Sequence, residues 1–260
     1  MKIHHLRNAT FIIEAGINFI LVDPMLGKKG ELPPLAFIRH KRVRNPLVPL
    51  PENSRQILDK VTHCLITHCQ KGHIDHLDQA GKDFLQRNNI SVICNAQDAA
   101  YLQARDINVE LPIDSWQSSP LLGGRITAIP AQHGRGLVSY FMANGVGFYL
   151  QLPAEPSIYI SGDTVYTNAV DHALVELNPD IAIVAAGAAS LDVGKPILMS
   201  LEEIITFINT APHKVIANHL EALNHCPMTR VKLKQTLQEQ DILYKTLIPN
   251  DGDILIFNSN

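Results

Sequence analysis

Three histidines and two aspartates fall within the twelve residues Thr67-His-Cys-Gln-Lys-Gly-His-Ile-Asp-His-Leu-Asp78. Imidazole nitrogens and carboxylate oxygens are the donors that zinc and similar borderline metals take. His68, His73, Asp75 and His76 are therefore candidate metal ligands. The apolar run His63-Cys-Leu-Ile-Thr67 before them reads as a short buried strand. With a strand ending near Thr67 and a helix starting near Leu77, the donors lie on the connecting loop, where they can converge on one point. The plainer reading makes Asp75 a helix cap and the histidines exposed turn residues. One histidine alone would favour it; three beside an aspartate do not.

Three further segments repeat the arrangement. ITAIPAQHGRG delivers His133 past a strand, SIYISGDTVY ends at Gly162-Asp163-Thr164, and KVIANHLEALNH runs into Asn218-His219. Each donor stands just beyond an apolar strand, where open α/β sheets place their sites. Singly, His133 and His219 read as polar turn residues and Asp163 as a turn or cap. Four independent strand ends presenting metal-type donors in one chain are improbable by accident.

The elements that must position these donors follow from periodicity. Thr10 to Ala15 and Ile17 to Val22 form a hairpin around Ala15-Gly16, and Asp23-Pro24 ends its second strand. Residues 26 to 53 carry five prolines from Pro33 to Pro51 and little periodicity, which reads as a long irregular loop. Helices are expected over Leu77 to Arg87, Asp98 to Ala104, Leu201 to Asn209 and Thr229 to Gln238. Strands are expected at Ser91 to Cys94, Ile107 to Val109, Arg125 to Ile129, Val138 to Ala143, Val146 to Leu152 and Ser157 to Ile160, with a tight turn at Asn144-Gly145. Ile181 to Val184, Lys214 to Ala217 and Ile254 to Phe257 complete the strands. Two mixed β/α halves with a meander between them indicate an α/β protein. No low-complexity linker divides them, so the expectation is one domain over residues 1–260.

Bulk properties narrow the classes. With 260 residues, 46% of them apolar, the chain can bury a substantial core. A formal charge of −3 gives no general field for nucleic acid or an anionic membrane. Arg39-His-Lys-Arg-Val-Arg44 is locally basic and reads as a solvated loop, with a grip on a substrate phosphate or carboxylate as the alternative. The start lacks the apolar stretch of a signal peptide. Ile181 to Leu191 falls well short of the ~20 residues that span a bilayer. A cytoplasmic protein with reduced cysteines is expected, since its four cysteines show no C-x-x-C spacing.

Together, H…HxDH, a lone His, a strand ending in GDT and a final His after a strand resemble the metallo-β-lactamase superfamily of metal-dependent hydrolases. The opening MKIHHLRNATFIIEAGINFILVDPML is similar to the start of its non-lactamase branch, which includes sugar-phosphate lactonases and N-acyl phospholipid phosphodiesterases. The resemblance runs from about Lys2 to Phe257. It implies a four-layer αβ/βα sandwich with two divalent metals, zinc or else manganese or iron, in a groove at one edge of the sheets. By position it implies His73 and His133 with an upstream histidine on the first metal, Asp75, His76 and His219 on the second, and Asp163 bridging them. An aspartate at the bridging place, rather than a cysteine, points away from true β-lactamases and towards hydrolases of esters, lactones and phosphodiesters. One departure stands out: the family pattern is H-x-H-x-D-H, but Lys71 occupies the place two residues before His73. His68, five residues before it, is the nearest candidate, with Gly72 supplying the turn that brings it back.

The implied activity is attack of metal-activated water on a small-molecule substrate, anionic ones included. Asp75 would combine ligation with proton transfer, and His225 would contact the leaving group or act as a general acid. Asp78 and Thr164 are candidates to support the imidazoles from behind. The proline-rich loop is expected near the groove. A nuclease of the same fold is the first alternative, disfavoured by the low basic content, so no nucleic-acid partner is expected. A non-catalytic metal- or metabolite-binding module is the second, kept open by Lys71. No membrane span is expected.

Overall fold

Strands whose alternate side chains are apolar on both faces must be covered twice, and here two sheets cover each other. The computed structural model describes residues 1–70, 72–136, 139, 142 and 145–258. Lys71 and Asn144 therefore lie outside the described residues, as does the expected strand from Val138 to Ala143 apart from Ser139 and Met142. The first sheet holds β1 (Lys2–Arg7), β2 (Thr10–Ala15), β3 (Asn18–Val22), β4 (His63–Ile66), β5 (Ser91–Asn95) and β6 (Val109–Ile113). The second holds β7 (Ser118–Leu121), β8 (Gly124–Pro130), β9 (Val146–Gln151), β10 (Ile158–Ile160), β11 (Ile181–Ala185), β12 (Lys214–Asn218) and β13 (Thr246–Leu247). The last strand, β14 (Ile254–Ile256), returns to pair with β1, giving the orders β14-β1-β2-β3-β4-β5-β6 and β13-β12-β11-β10-β9-β8-β7. In each sheet an antiparallel meander passes into parallel strands, at β3–β4 in one and β10–β11 in the other.

Burial follows the two-residue period. Phe11, Ile13, Ile20, Val22, Leu65 and Ile93 face Ile126, Phe148, Leu150, Ile160, Ile183 and Ile216 in the core between the sheets. The alternate residues Ile12, Leu21, Cys64, Ile66 and Val92 meet Leu85 of α2 (Gln79–Arg87) and Leu102 of α3 (Ala96–Gln103), with α1 (Ser54–Leu58) beside them. On the far side Tyr159, Ala182, Val184 and Val215 meet α4 (Asn168–Val175), α5 (Leu201–Thr210) and α6 (Arg230–Glu239). The result is the expected αβ/βα sandwich.

The departures have local causes. The helix expected from Leu77 begins at Gln79, because Asp78 rather than Asp75 is its cap, accepting the Gly81 N–H at 2.7 Å. Asp78 also accepts the N–H groups of Leu26 at 3.1 Å and Gly27 at 2.7 Å. The strand expected at Ile107 to Val109 runs instead from Val109 through Pro112, and β7 contains Pro120. Both are edge strands, where a missing N–H costs no ladder bond. Arg7, fully buried, donates to the carbonyls of Met25, Gly27 and Val48, pinning both ends of the proline-rich stretch to β1.

These contacts matter because the parallel strands all end at one edge. There the Val146 N–H donates to the Thr67 carbonyl at 3.1 Å, stitching the sheets together. A Cβ on Gly145 would come within 2.8 Å of the His68 Cβ, and one on Gly162, at φ +61, within 2.8 Å of the Val146 carbonyl oxygen. Phe148 lies fully buried between the sheets, so Phe148→Ala is expected to cost ~3–5 kcal/mol of stability. Urea unfolding would measure this, and a loss below ~1 kcal/mol would contradict the interior described.

Candidate metal centre

Every donor singled out in the sequence stands at that edge. β4 runs into Thr67-His68, β8 into His133, β10 into Asp163 and β12 into His219. His68, His73, Asp75, His76, His133, Asp163 and His219 are all buried. Their ligand atoms fall into two groups, each within 4.8 Å: His68, His73 and His133 in one, Asp75, His76, Asp163 and His219 in the other. Asp163 stands between them, its Oδ2 lying 3.1 Å from His76 Nε2 and 3.5 Å from both His133 Nε2 and His219 Nε2. The second carboxylate, Asp75 Oδ2, lies 3.8 Å from His76 Nε2 and 3.9 Å from His219 Nε2.

The loop that carries the departure turns between His68 and His73. Gly72 sits at φ +88, as its role in turning the chain requires, and its carbonyl accepts the Ile74 N–H at 2.8 Å. The His68 and His73 rings lie 4.4 Å apart between centroids. Buried Asp98 braces this loop by accepting the Cys69 N–H at 3.1 Å and the Gln70 side-chain amide at 2.7 Å.

What orients the imidazoles lies behind them. Four of the five cluster histidines turn Nδ1 towards an oxygen. His73 Nδ1 donates to the Gln70 carbonyl at 2.5 Å, His133 Nδ1 to the Ile197 carbonyl at 2.9 Å, and His76 Nδ1 to Asp23 Oδ2 at 2.9 Å. His68 Nδ1 meets the Thr67 hydroxyl at 3.0 Å, which itself donates to Asp23 Oδ2 at 2.7 Å. His219 Nδ1 contacts Cys226 Sγ at 3.5 Å. Each Nε2 consequently points inward. Among the described residues, the Nε2 atoms of His68, His73 and His219, with Asp163 Oδ1, are buried and have no hydrogen-bond partner. Such orphaned groups are expensive in a folded interior, and cations shared within each of the two groups would satisfy them. The donor sets fit such ions.

Charge points the same way. Burial opposes ionisation of Asp163, but His219 and His76 outweigh it and hold the carboxyl well below its ordinary range. Burial likewise opposes protonation of His76 and His219, yet Asp163 drives both well above the usual imidazole value. Positive charge is thus favoured beside Asp163. His68 and His133 go the other way, chiefly through burial, His133 down to about 4, so both present neutral rings with free lone pairs.

The donor pattern in the sequence does not single out Asp23, although it too stands just past an apolar strand. Its carboxylate reaches His76 directly and His68 through Thr67, whose N–H it also accepts at 2.8 Å. Nor does that pattern single out Asn8. Its side chain donates to the Asp75 carbonyl at 3.2 Å and its own carbonyl accepts the His219 N–H at 3.0 Å, holding His219 at φ +60. The supports expected at Asp78 and Thr164 are not there. Asp78 anchors helix and loop as described, and Thr164 accepts the Gln132 N–H at 3.0 Å and donates to the Val165 carbonyl. His225 is buried outside both donor groups, with Nδ1 unpartnered among the described residues and burial pushing its ring down to about 4. The four cysteines are free thiols. The proline-rich stretch reaches the same edge, where Met25, Leu32, Leu35 and Val48 pack with Ala185, Leu223 and Cys226. A separate cleft of about 870 Å³, lined by Asp180, His213, Lys214 and Tyr244 among others, opens at the opposite strand ends and contains none of these donors.

Two facing mixed sheets, with histidine and aspartate donors gathered where their parallel strands end, define a metallo-β-lactamase-type hydrolase scaffold. Residues 18–219 match the beta-lactamase superfamily domain. A Bacillus subtilis protein named UPF0173 protein YddR is 32% identical, covering 99% of this chain and 100% of the relative. A UPF0173 metal-dependent hydrolase of Methylacidiphilum infernorum is 22% identical over 98% of this chain and 100% of its own length. Among solved structures, an isothiocyanate hydrolase from Delia radicum gut bacteria superposes with a TM-score of 0.88 at 27% identity, covering 99% of both chains. A possible metal-dependent hydrolase from Veillonella parvula gives 0.89 at 23% identity, also over 99% of both, a likeness of fold. The chain belongs to the UPF0173 metal-dependent hydrolases of the beta-lactamase superfamily.

Asp23→Ala removes the acceptor behind His76 and the anchor of Thr67. Zinc affinity, measured by competition with a chromophoric chelator, is expected to fall ~10–100-fold while the circular dichroism spectrum is kept. Unchanged affinity would contradict the role of Asp23 in orienting these rings.

Proposed function

We propose that this hydrolase cleaves a small ester, lactone or phosphodiester. His68, His73 and His133 would hold one divalent cation and Asp75, His76 and His219 a second, with Asp163 standing between the two groups. The observation that carries this reading is the inward convergence of five Nε2 atoms and two carboxylates, several with no other partner among the described residues. When bound, such a pair supplies Lewis acidity and brings the ionisation of water into the neutral range. Zinc suits the imidazole-rich donors, with manganese or iron as substitutes.

The chain's own residues supply the rest. The acceptors at Nδ1 fix the rings before substrate arrives, so little reorganisation is left for the reaction. The Asp75 carboxylate, held ionised by His76 against the effect of burial, accepts the proton of the attacking water. His225, uncharged near neutrality, hydrogen-bonds the leaving group through its ring rather than serving as an imidazolium acid. Burial of all seven donors favours a small substrate over a duplex.

A second reading is hydration of an isothiocyanate, whose central carbon is an electrophile open to the same attack. It rests on the likeness to the isothiocyanate hydrolase, which spans nearly the whole of both chains. A panel containing an aryl ester, a lactone, a bis-aryl phosphodiester and an aryl isothiocyanate distinguishes the two. Turnover of one of the first three is expected, abolished by chelation and restored by zinc or manganese. His133→Ala is expected to lower kcat/KM by more than ~100-fold, together with metal content by elemental analysis. Full activity in that variant or after complete metal removal would overturn the proposal.

A further inference from the structure

The overall charge of −3 covers a local reversal. From Lys28 to Arg44 the sequence has six Lys or Arg and a single acid, Glu31. Asp192, in the loop after β11, ties this stretch down. Its carboxylate accepts the backbone N–H groups of Phe37 at 2.8 Å, Ile38 at 2.8 Å and Arg39 at 2.9 Å. The Arg39 guanidinium in turn donates to the Gly194 carbonyl at 3.3 Å. Three backbone donors on one carboxylate fix the turn, and what it presents outward is apolar. Ile38 is 87% exposed, neighbouring Val193 78% and Phe37 50%. Cations surround these tips: the Arg42 guanidinium lies over the Phe37 ring, 5.4 Å from its centroid, and Arg39, Lys41 and Lys195 are exposed.

We propose that this rim docks on an anionic lipid surface. Phe37, Ile38 and Val193 enter the headgroup boundary, and Arg39, Lys41, Arg42 and Lys195 meet the lipid phosphates. A bilayer of anionic lipids rewards both halves of the pattern, burying apolar tips while attracting clustered basic residues. Nucleic acid would engage the cations but leave aliphatic Ile38 and Val193 in water, where recognition of single strands relies on aromatic stacking. Pairing of the rim with its own copy would set Arg39 and Arg42 against like charges. The rim adjoins the donor cluster: Leu35 and Leu191, beside it in the chain, pack with Cys226, whose Sγ lies 3.5 Å from His219 Nδ1. His40 Nε2 and the Ser190 hydroxyl are 2.9 Å apart, and the Ser190 N–H donates to the His225 carbonyl at 3.0 Å. A docked molecule therefore holds its metal centre beside the headgroups. The inference does not depend on which bond the enzyme cleaves.

Sedimentation of the full chain with vesicles tests it. Phosphatidylcholine vesicles containing phosphatidylglycerol are expected to bind at least ~10-fold more protein than phosphatidylcholine alone, the difference shrinking in high salt. Ile38→Asp with Val193→Asp, and separately Arg39→Glu with Arg42→Glu, are expected to lower binding ~10-fold or more while metal content and melting temperature are kept. Three results would overturn the proposal. One is no preference for anionic vesicles at low salt. Another is undiminished binding by both double variants. The third is a concentration-dependent dimer, seen by sedimentation velocity, that the aspartate pair abolishes.

Discussion

A neutral imidazole has one N–H and one lone pair, and where the N–H is spent decides where the lone pair points. In this protein that choice is made by acceptors outside the cluster. Backbone carbonyls take His73 and His133, the Thr67 hydroxyl takes His68, and the Asp23 carboxylate takes His76. The convergence of Nε2 atoms is thus a consequence of what stands behind the rings. Asp23 has the widest reach, because through Thr67 it also touches the histidine of the other donor group. Buried donors facing one another without partners are unfavourable in a dry interior, so the arrangement makes physical sense around shared positive charge.

The fold makes this convergence possible by ending strands of both sheets at one edge. Side chains within a strand diverge to opposite faces, whereas residues just past the strand ends are free to turn towards one point. Contacts between the sheets set the spacing there. The Thr67 carbonyl bonds Val146 of the opposing sheet, and Gly145 and Gly162 leave no room for side chains between them. Asn8 couples the ends of β1, β12 and the donor loop by bonding the backbone of both His219 and Asp75. The geometry of the centre is therefore inseparable from the packing of the sandwich.

The sequence exposes these features unevenly, and the reason is physical. A donor directly after an apolar strand is visible as pattern, and all seven that stood out are brought together. Gly72 was legible too, since only a residue tolerant of positive φ turns the chain between His68 and His73. Asp23 met the same strand-end criterion but reads equally well as an ordinary strand terminator beside proline. Asn8 was invisible, because what it does depends on contacts with residues 75 and 219. Pro112 and Pro120 concealed β6 and β7, as only the completed topology shows these to be edges. Asp78 and Thr164 show the converse error: nearness in sequence to a ligand is not contact with it.

Membership of the UPF0173 metal-dependent hydrolases places a metal at the heart of the chemistry. The number of ions, and whether His68 holds one of them, decide how that chemistry is organised. The most direct measurement is metal content per chain combined with an anomalous-scattering map from crystals of the purified protein. The account predicts two peaks, one bounded by Nε2 of His68, His73 and His133 and one by Asp75, His76 and His219, with Asp163 touching both. A single ion, or a His68 ring turned away from the nearer peak, would contradict it.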